Sequence, residues 1–230
     1  MKYKTLLAEF VGTFAVVFVG VGAIVSDHLT NGAVGLTGIA LAFGFAIAAM
    51  TTITHPVSGG HLNPAVSFGF LISGQMKLFE FAGYVVAQCL GAVAASSLMM
   101  SANSPLALES VNFGIPVVGE SSTAGMAAIT ETVLTFFLVL VALAAASKSR
   151  SPGGVGLPLG LTYAMGIFMG APVSGAAQNP ARWFGPAVLG SDYMNAWVYW
   201  VGPFAGAALA AVTVSIMFAS QEKERPESAA

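Results

Sequence analysis

Two segments of this 230-residue chain repeat the same run of polar residues, proline and alanine. They read PVSGGHLNPAV at Pro56–Val66 and PVSGAAQNPAR at Pro172–Arg182, and they share seven of eleven residues at an offset of 116. In each segment an asparagine, Asn63 or Asn179, precedes proline. Asparagine is a favoured helix N-cap, and proline fits the first helical position because the missing N–H costs nothing there. Each segment therefore predicts a helix whose positive N-terminal end can act on a polar molecule.

The helix after each asparagine is too short to cross a bilayer. Helix-compatible sequence runs from Pro64 to about Ser73 and from Pro180 to about Leu189. Ten residues cover about 15 Å, half of a hydrocarbon core of about 30 Å. One copy alone would be typical of a loop-to-helix turn, whereas two matched copies predict two half-helices that meet near the midplane. The preceding SGGH and SGAA backbones would be non-helical at that depth, which requires protein or a water-filled cavity around them. The pattern predicts a pore.

The composition places these half-helices in a membrane. Hydrophobic residues make up 56% of the chain and charged residues 8%, and the mean hydropathy is +0.81. The long apolar runs are continuous rather than alternating, which favours helices over outer-membrane strands. A secretory signal peptide is the alternative for the first run, but Glu9 interrupts that run and it is longer than a signal core. Six runs are long enough to span the membrane: Leu6–Val25, Ala33–Thr54, Phe81–Met100, Ala124–Ala146, Val155–Ala171 and Ala196–Phe218.

The repeat extends beyond the two asparagine segments. AEFVGTF around Glu9 is matched by TETVLTF around Glu131, and YVVAQCLGAVAA from Tyr84 is matched by YWVGPFAGAALAA from Tyr199. Each half holds three spans, so the second half starts on the opposite side of the membrane and the halves must be inverted repeats. Gly91 and Gly206, which match in the repeat, predict close helix crossings. The predicted organisation is a single channel domain over 1–230, with repeats at 1–105 and 124–219, an extracellular connection at 106–123 and a disordered cytoplasmic tail at 220–230.

The charged residues predict an orientation and exclude several functions. With a cytoplasmic N-terminus, seven of the eight basic residues lie on the cytoplasmic side, as the positive-inside rule requires, and Arg182 is the exception. Net charge −2 without basic clusters excludes nucleic acid as a partner. One cysteine, Cys89, and three scattered histidines predict no metal site, and no HExxH or GxSxG motif indicates an enzyme. The seven basic residues assigned to the cytoplasmic side are Lys2, Lys4, Lys77, Lys148, Arg150, Lys223 and Arg225.

These motifs together resemble the aquaporin (major intrinsic protein) family over essentially the whole chain. The resemblance rests on the paired NPA motifs, each after SG, on Arg182 after the second motif, and on a glutamate in the first span of each half. It implies an all-α integral membrane fold with six transmembrane helices and two re-entrant half-helices. It also implies a homotetramer in the bilayer of a plasma or inner membrane, with both termini cytoplasmic. Its activity would be passive water transport without a cofactor.

The resemblance assigns roles to the two motifs and the backbone before them. The amides of Asn63 and Asn179 would donate to a central water, and the facing helix N-termini would repel cations and disfavour proton hopping. Backbone carbonyls would form a ladder of acceptors for water. The NPA residues are Asn63, Pro64, Ala65, Asn179, Pro180 and Ala181, and the ladder residues are Gly59, Gly60, His61, Gly175, Ala176 and Ala177.

Four positions match the family's selectivity filter: Phe43, Ile167, Ala176 and Arg182. Strict water channels usually carry histidine at the position of Ile167, and many glycerol channels carry glycine there with an aromatic at the position of Ala176, so this set matches neither pattern. Trp183 after the arginine favours water over glycerol. We expect a water channel that also leaks small neutral solutes. The alternatives are a facilitator of glycerol, urea or dissolved gases (hydrogen sulfide, carbon dioxide or ammonia), and a secondary transporter, which would respond to ion gradients.

Four ionisable side chains at membrane depth have two interpretations each. The resemblance implies that Glu9 and Glu131 accept hydrogen bonds from the non-helical backbone before each NPA motif, and a proton-coupling site is the alternative. Arg182 is expected to line the extracellular mouth of the pore, and an ion pair with Glu131 is the alternative. His61 is expected to supply a donor and a carbonyl to the pore, and a protonation gate is the alternative.

Overall fold

The computed structural model describes residues 2–148 and 153–222. Within those residues the chain forms α-helices and one short 3-10 helix, and six helices are long and apolar enough to cross a membrane, as the sequence predicts. The spanning helices are α1 (Tyr3–Leu29), α2 (Gly35–Ser58), α4 (Leu78–Ala102), α6 (Ala124–Lys148), α7 (Gly153–Ser174) and α9 (Ala196–Glu222). The half-helices are α3 (Pro64–Ile72) and α8 (Pro180–Gly190), and the connection between the halves holds α5 (Pro105–Ser110) and a 3-10 helix (Asn112–Gly114).

The helices pack as two equivalent three-helix groups. In the first half α1 packs against both α2 and α4, and in the second half α6 packs in the same way against α7 and α9. Helices α2 and α7 join the halves, and the half-helix of each repeat packs against the last spanning helix of the other, α3 on α9 and α8 on α4. The inverted repeat of the sequence is therefore also a repeat of helix packing.

The matched glycines lie at close helix crossings, as predicted. A Cβ atom added at Gly91 of α4 would collide with the Phe10 carbonyl of α1, and one at Gly206 of α9 would collide with the Thr132 carbonyl of α6. The backbones of the two helices in each pair come into direct contact at these points, and a glycine leaves room for this contact because it has no Cβ atom.

Polar and apolar side chains are distributed as in a membrane protein. Phe79 and Ile216 expose 73% and 72% of their surface on the outside of the bundle, whereas the carboxylates of Glu9 and Glu131 are fully buried. Because lipid replaces water around such a bundle, apolar side chains face outward and polar side chains are confined to sites where protein or a cavity satisfies them.

The helices differ from the predicted spans mainly at their ends. Helices α2 and α7 continue through Pro56 and Pro172 to a serine four and three residues beyond the predicted ends, Thr54 and Ala171. Each of these prolines lies in the last turn, where its missing N–H removes a single helical hydrogen bond. The predicted connection at 106–123 is partly helical, and α9 extends to Glu222, beyond the predicted start of the tail at 220. The rest of that tail, with Lys223 and Arg225, and Arg150 lie outside the described residues.

Candidate functional site

The half-helices α3 and α8 begin at the two asparagines that the sequence singled out. The Oδ1 atom of Asn63 accepts a hydrogen bond from the Ala65 N–H at 2.8 Å, and that of Asn179 accepts from the N–H groups of Ala181 and Arg182 at 3.0 and 3.3 Å. Proline occupies the first helical position in both. Each asparagine therefore satisfies the free N–H groups of the helix that it starts.

The same two asparagines connect the halves of the chain. The Nδ2 atom of Asn63 donates to the backbone oxygen of Gln178 at 2.8 Å, and that of Asn179 donates to the backbone oxygen of Leu62 at 3.0 Å. The N-termini of α3 and α8 consequently face each other. Because a carboxamide carries two N–H donors, each asparagine retains one donor beyond this cross-connection.

The backbone before each asparagine takes matching non-helical conformations. Gly59, Gly60 and Leu62 have φ angles of 89°, 63° and 54°, and the matched residues Gly175, Ala176 and Gln178 have φ angles of 74°, 46° and 51°. Left-handed conformations at leucine, alanine and glutamine cost energy that the surroundings must offset.

Two buried carboxylates hold these segments. The Glu9 carboxylate accepts hydrogen bonds from the N–H groups of His61 and Leu62 at 3.0 and 2.6 Å, and the Glu131 carboxylate accepts from those of Ala177 and Gln178 at 2.8 and 2.6 Å. Both carboxylates therefore contact the non-helical backbone in the way that the sequence interpretation favoured. Hydrogen bonds to an ionised group are stronger than neutral ones, which offsets backbone strain at these points.

A serine and a tyrosine add to the hydrogen bonds around the carboxylate in each half. The hydroxyl of Ser58 donates to Glu9 at 2.6 Å and that of Ser174 donates to Glu131 at 2.7 Å. The backbone oxygens of these serines accept from Tyr84 and Tyr199 at 2.6 and 2.9 Å, respectively. Sequence reasoning assigned no role to the two tyrosines, although their match in the repeat was the signal that could have identified them.

One further polar residue breaks the symmetry. In the first half, the Nε2 atom of Gln88 donates to Glu9 at 2.8 Å and to Ser67 at 3.0 Å. The hydroxyl of Ser67 also lies 3.1 Å from Nδ1 of His61, whose ring stacks on Phe70 at a centroid distance of 4.4 Å. The His61 ring is therefore fixed against the first half-helix.

The predicted carbonyl ladder is partly occupied by the protein. The carbonyl of Gly59 lies 3.0 Å from Nδ1 of His55, that of Gly60 accepts from Thr51 at 3.4 Å, and that of Ala177 accepts from Tyr163 at 2.5 Å. For the remaining ladder carbonyls, the chain over 2–148 and 153–222 supplies no hydrogen-bond donor. They belong to His61, Gly175 and Ala176.

The four predicted filter residues line one cavity of about 340 Å³. Arg182 is 3% exposed, and its guanidinium donates from Nη1 to the Gly114 carbonyl at 2.7 Å and places its central carbon 5.0 Å from the centre of the Phe43 ring. The connecting segment between the halves thus supplies the partner of this arginine. Arg182 and Glu131 take separate partners, so the charge of Arg182 remains at the wall of the filter cavity.

A much smaller cavity, the midplane cavity, lies next to the two asparagines. The space open to the centre of a water molecule there is about 10 Å³, roughly the minimum that holds one water. Aliphatic and aromatic side chains form most of its wall, together with the polar asparagines. Its lining residues are Ile47, His61, Leu62, Asn63, Leu138, Leu159, Tyr163 and Asn179.

Comparisons with known proteins agree with this arrangement. The sequence model of the family described as "Major intrinsic protein" matches residues 1–214. The lens fiber major intrinsic protein of Gallus gallus is 36% identical over 98% of this chain and 85% of its own, and Aquaporin TIP4-4 of Zea mays is 39% identical over 97% of this chain and 90% of its own. Aquaporin NIP1-4 of Oryza sativa subsp. japonica is 38% identical over 93% of this chain and 77% of its own.

A solved structure supports the same fold. The aquaglyceroporin from Plasmodium falciparum matches with a TM-score of 0.86, over 97% of this chain and 99% of its own, at 23% sequence identity. The family match, the relatives and the helix arrangement lead to one conclusion. This chain belongs to the major intrinsic protein family, whose members are membrane channels for water or small solutes rather than enzymes.

Proposed function

We propose that this protein is a passive water channel that also passes small neutral solutes. The observation that carries the proposal is the facing pair Asn63 and Asn179, each of which keeps one amide donor beyond its bond to the opposite half. A central water could accept both remaining donors. Its own two hydrogens would then point away from the midplane, towards acceptors on either side.

The rest of the path has the mixture of groups that water transfer requires. A permeating water needs a hydrogen-bond acceptor at each step, because losing its partners without replacement costs several kcal/mol, roughly 2–7 for a small polar group. The free carbonyls of His61 in the first half and of Gly175 and Ala176 in the second half belong to the segments that precede the two asparagines, and they supply such acceptors. Walls such as Ile47 and Leu138 offer water no competing hydrogen bonds.

Cations and protons are excluded by the same geometry. The N-termini of α3 and α8 face each other, and each carries the equivalent of about +0.5 charge. Arg182 adds a full positive charge at the filter cavity. A cation would have to give up hydration while approaching three positive centres, whereas a neutral molecule would not.

The filter composition favours some solute leakage. Ile167 places an aliphatic wall opposite Phe43, and Ala176 adds little bulk on a third side. Arg182 is the one charged donor among the four residues. A small neutral solute therefore meets a less polar and wider filter than one that holds an additional histidine.

The assembly and orientation are part of the proposal. We expect a homotetramer in a plasma or inner membrane, with both termini cytoplasmic, because family resemblance implies the tetramer and the basic residues favour that orientation. A protease or antibody probe for Gln221–Ala230 tests it. Detection of this segment from the outside of intact cells would overturn the orientation.

Osmotic shrinkage of proteoliposomes tests the function directly. Stopped-flow light scattering after a step in an impermeant osmolyte should show water efflux well above that of protein-free vesicles. The rate should not change when a proton or sodium gradient is imposed, because a channel couples to neither. Water efflux no faster than that of protein-free vesicles, or flux driven by an imposed gradient, would contradict the proposal.

A further inference from the structure

Tyr163 lies in the pore wall one helical turn from the filter residue Ile167. The two are four residues apart on α7, and on the facing helix α2 the residues Phe43 and Ile47 have the same spacing. The pore therefore has two tiers of side chains. The upper tier, Phe43 and Ile167, lines the filter cavity, and the lower tier, Ile47 and Tyr163, lines the midplane cavity beside the asparagines.

The midplane cavity is far smaller than the filter cavity, which also extends along the connecting segment between Val111 and Gly119. About 10 Å³ is open to the centre of a water molecule at the midplane, against about 340 Å³ at the filter. Tyr163 is the bulkiest side chain that lines the smaller cavity, and it is fully buried. Its ring centre lies 5.8 Å from that of Phe43, so the two aromatic rings pack in succession along the pore.

One hydrogen bond holds the Tyr163 ring in this position, and a second holds the backbone of the same residue. Its hydroxyl donates to the Ala177 carbonyl at 2.5 Å, and its backbone oxygen accepts from Nε2 of Gln178 at 3.2 Å. The Gln178 side chain packs directly on Gly166 of the same helix. Rotation of the ring out of the pore would break the first bond and leave a buried hydroxyl and a buried carbonyl without partners, which is costly.

The inverted repeat places an aliphatic residue at the position that matches this tyrosine. An offset of 116 pairs Tyr163 with Ile47. The two halves share the backbone conformations before each asparagine and the hydrogen bonds from that backbone to a buried carboxylate. Isoleucine fills this position in the first half without a hydroxyl, opposite a His61 carbonyl that receives no donor from the described chain. The backbone of the repeat is therefore compatible with an aliphatic residue at the matched position, and the aromatic ring is specific to the second half.

We infer that Tyr163 is a specificity-determining residue that sets the upper size of the solutes that pass. The inference rests on the proposed channel function and deepens it. The filter of Phe43, Ile167, Ala176 and Arg182 admits small neutral molecules, and the lower tier then stops those wider than water. The substrate class is water and uncharged solutes of similar width, such as ammonia, and it excludes glycerol and urea.

Replacement of the ring tests this inference. Tyr163→Ile copies the residue at the matched position of the first half, and Tyr163→Val removes still more bulk. Reconstituted into proteoliposomes, both variants should conduct water and gain severalfold in glycerol and urea permeability, measured by stopped-flow re-swelling. Tyr163→Phe keeps the ring and should still exclude both solutes. Tyr3→Val, at an exposed tyrosine of α1, is the matched control and should leave both solutes excluded.

Three results separate the possibilities. Water conduction without any gain of glycerol or urea permeability in both aliphatic variants would overturn the inference, as would rapid passage of either solute through the unmodified protein. If Tyr163→Val does not fold, Tyr163→Ile decides between the outcomes. Lack of water conduction by the unmodified protein would instead contradict the proposed function itself.

Discussion

The side-chain nitrogen of Asn63 donates to the backbone oxygen of Gln178 at 2.8 Å and so joins residues 115 positions apart where the two half-helices meet. The matched bond from Asn179 to Leu62 runs in the opposite direction. Together these bonds hold the N-termini of the two half-helices against each other. The asparagines therefore stabilise the fold as well as lining the midplane cavity, and these two positions predict different mutational effects.

Asn63→Ala should destabilise the protein by more than the loss of a helix N-cap alone. The substitution removes the cap on Ala65, about 1 kcal/mol, and leaves the buried Gln178 carbonyl without its donor, a further 1–3 kcal/mol or so. Thermal unfolding in detergent measures the sum. Ser104→Ala is the control, because Ser104 caps the short helix α5 and its side chain makes no bond to the opposite half. Equal losses for the two variants would show that the bond between the halves contributes nothing.

Glu131→Gln should lower the stability of the protein, and solute uptake should not depend on a proton gradient either before or after the substitution. An amide keeps one acceptor oxygen and turns an NH₂ group towards donors, so at least one of the Ala177, Gln178 and Ser174 bonds is lost. The expected loss is about 1–3 kcal/mol in detergent unfolding, whereas Glu109→Gln at an exposed position should have little effect. If solute uptake by the unmodified protein follows an imposed proton gradient and Glu131→Gln abolishes it, the carboxylate is a proton-coupling site.

Arg182→Val should admit ions while it preserves water flux. The positive charge at the filter cavity disappears, and a neutral pathway for water remains between Phe43 and Ala176. The Gly114 carbonyl loses its donor, which costs about 1–3 kcal/mol of stability. A pH-sensitive dye inside proteoliposomes should report faster proton or cation entry than in the unmodified protein, and Lys77→Val controls for loss of a basic residue. A variant that fails to assemble would show that Arg182 is structural.

Mercurial reagents should inhibit the unmodified protein weakly. Cys89 lies on α4, packed against the cluster of α1 and α4 side chains that includes Val17 and Ala92, and it is absent from the walls of both pore cavities. Ala176 lines the filter, so Ala176→Cys should confer block of water flux that a thiol reductant reverses. Strong block of the unmodified protein that disappears in Cys89→Ala would show that Cys89 controls the pore.

The spans and half-helices could be predicted from the sequence because they depend on local signals. Continuous apolar runs identify spanning helices, and Asn63 with Pro64 is a start signal that needs no tertiary information. The acceptor role of Glu9 and Glu131 came from the family resemblance, because a carboxylate at membrane depth is equally consistent with a proton-coupling site. Helix ends were less accurate, since hydropathy does not indicate that Pro56 and Pro172 would be tolerated in a last turn.

Other features depend on how helices rotate and on where a connecting segment folds back. The partner of Arg182 is a backbone oxygen at Gly114, beside Phe113 with a φ angle of 54°, and no side-chain type indicates that contact. Tyr163 and Gln88 lie within apolar runs where helical spacing alone does not separate a pore-facing residue from a packed one. Their roles follow from the hydrogen bonds that each makes after the helices have packed.

The central claim is that this protein conducts water through a filter that Ile167 makes less selective. The most direct measurement compares the unmodified protein with Ile167→His in proteoliposomes, using stopped-flow light scattering for water, glycerol and urea and an internal pH dye for ammonia. We predict fast water flux in both proteins, and leakage of at least one neutral solute in the unmodified protein that Ile167→His suppresses. Histidine restores a ring donor and bulk opposite Phe43. Rejection of all three solutes by the unmodified protein, or identical leakage in both proteins, would contradict the account.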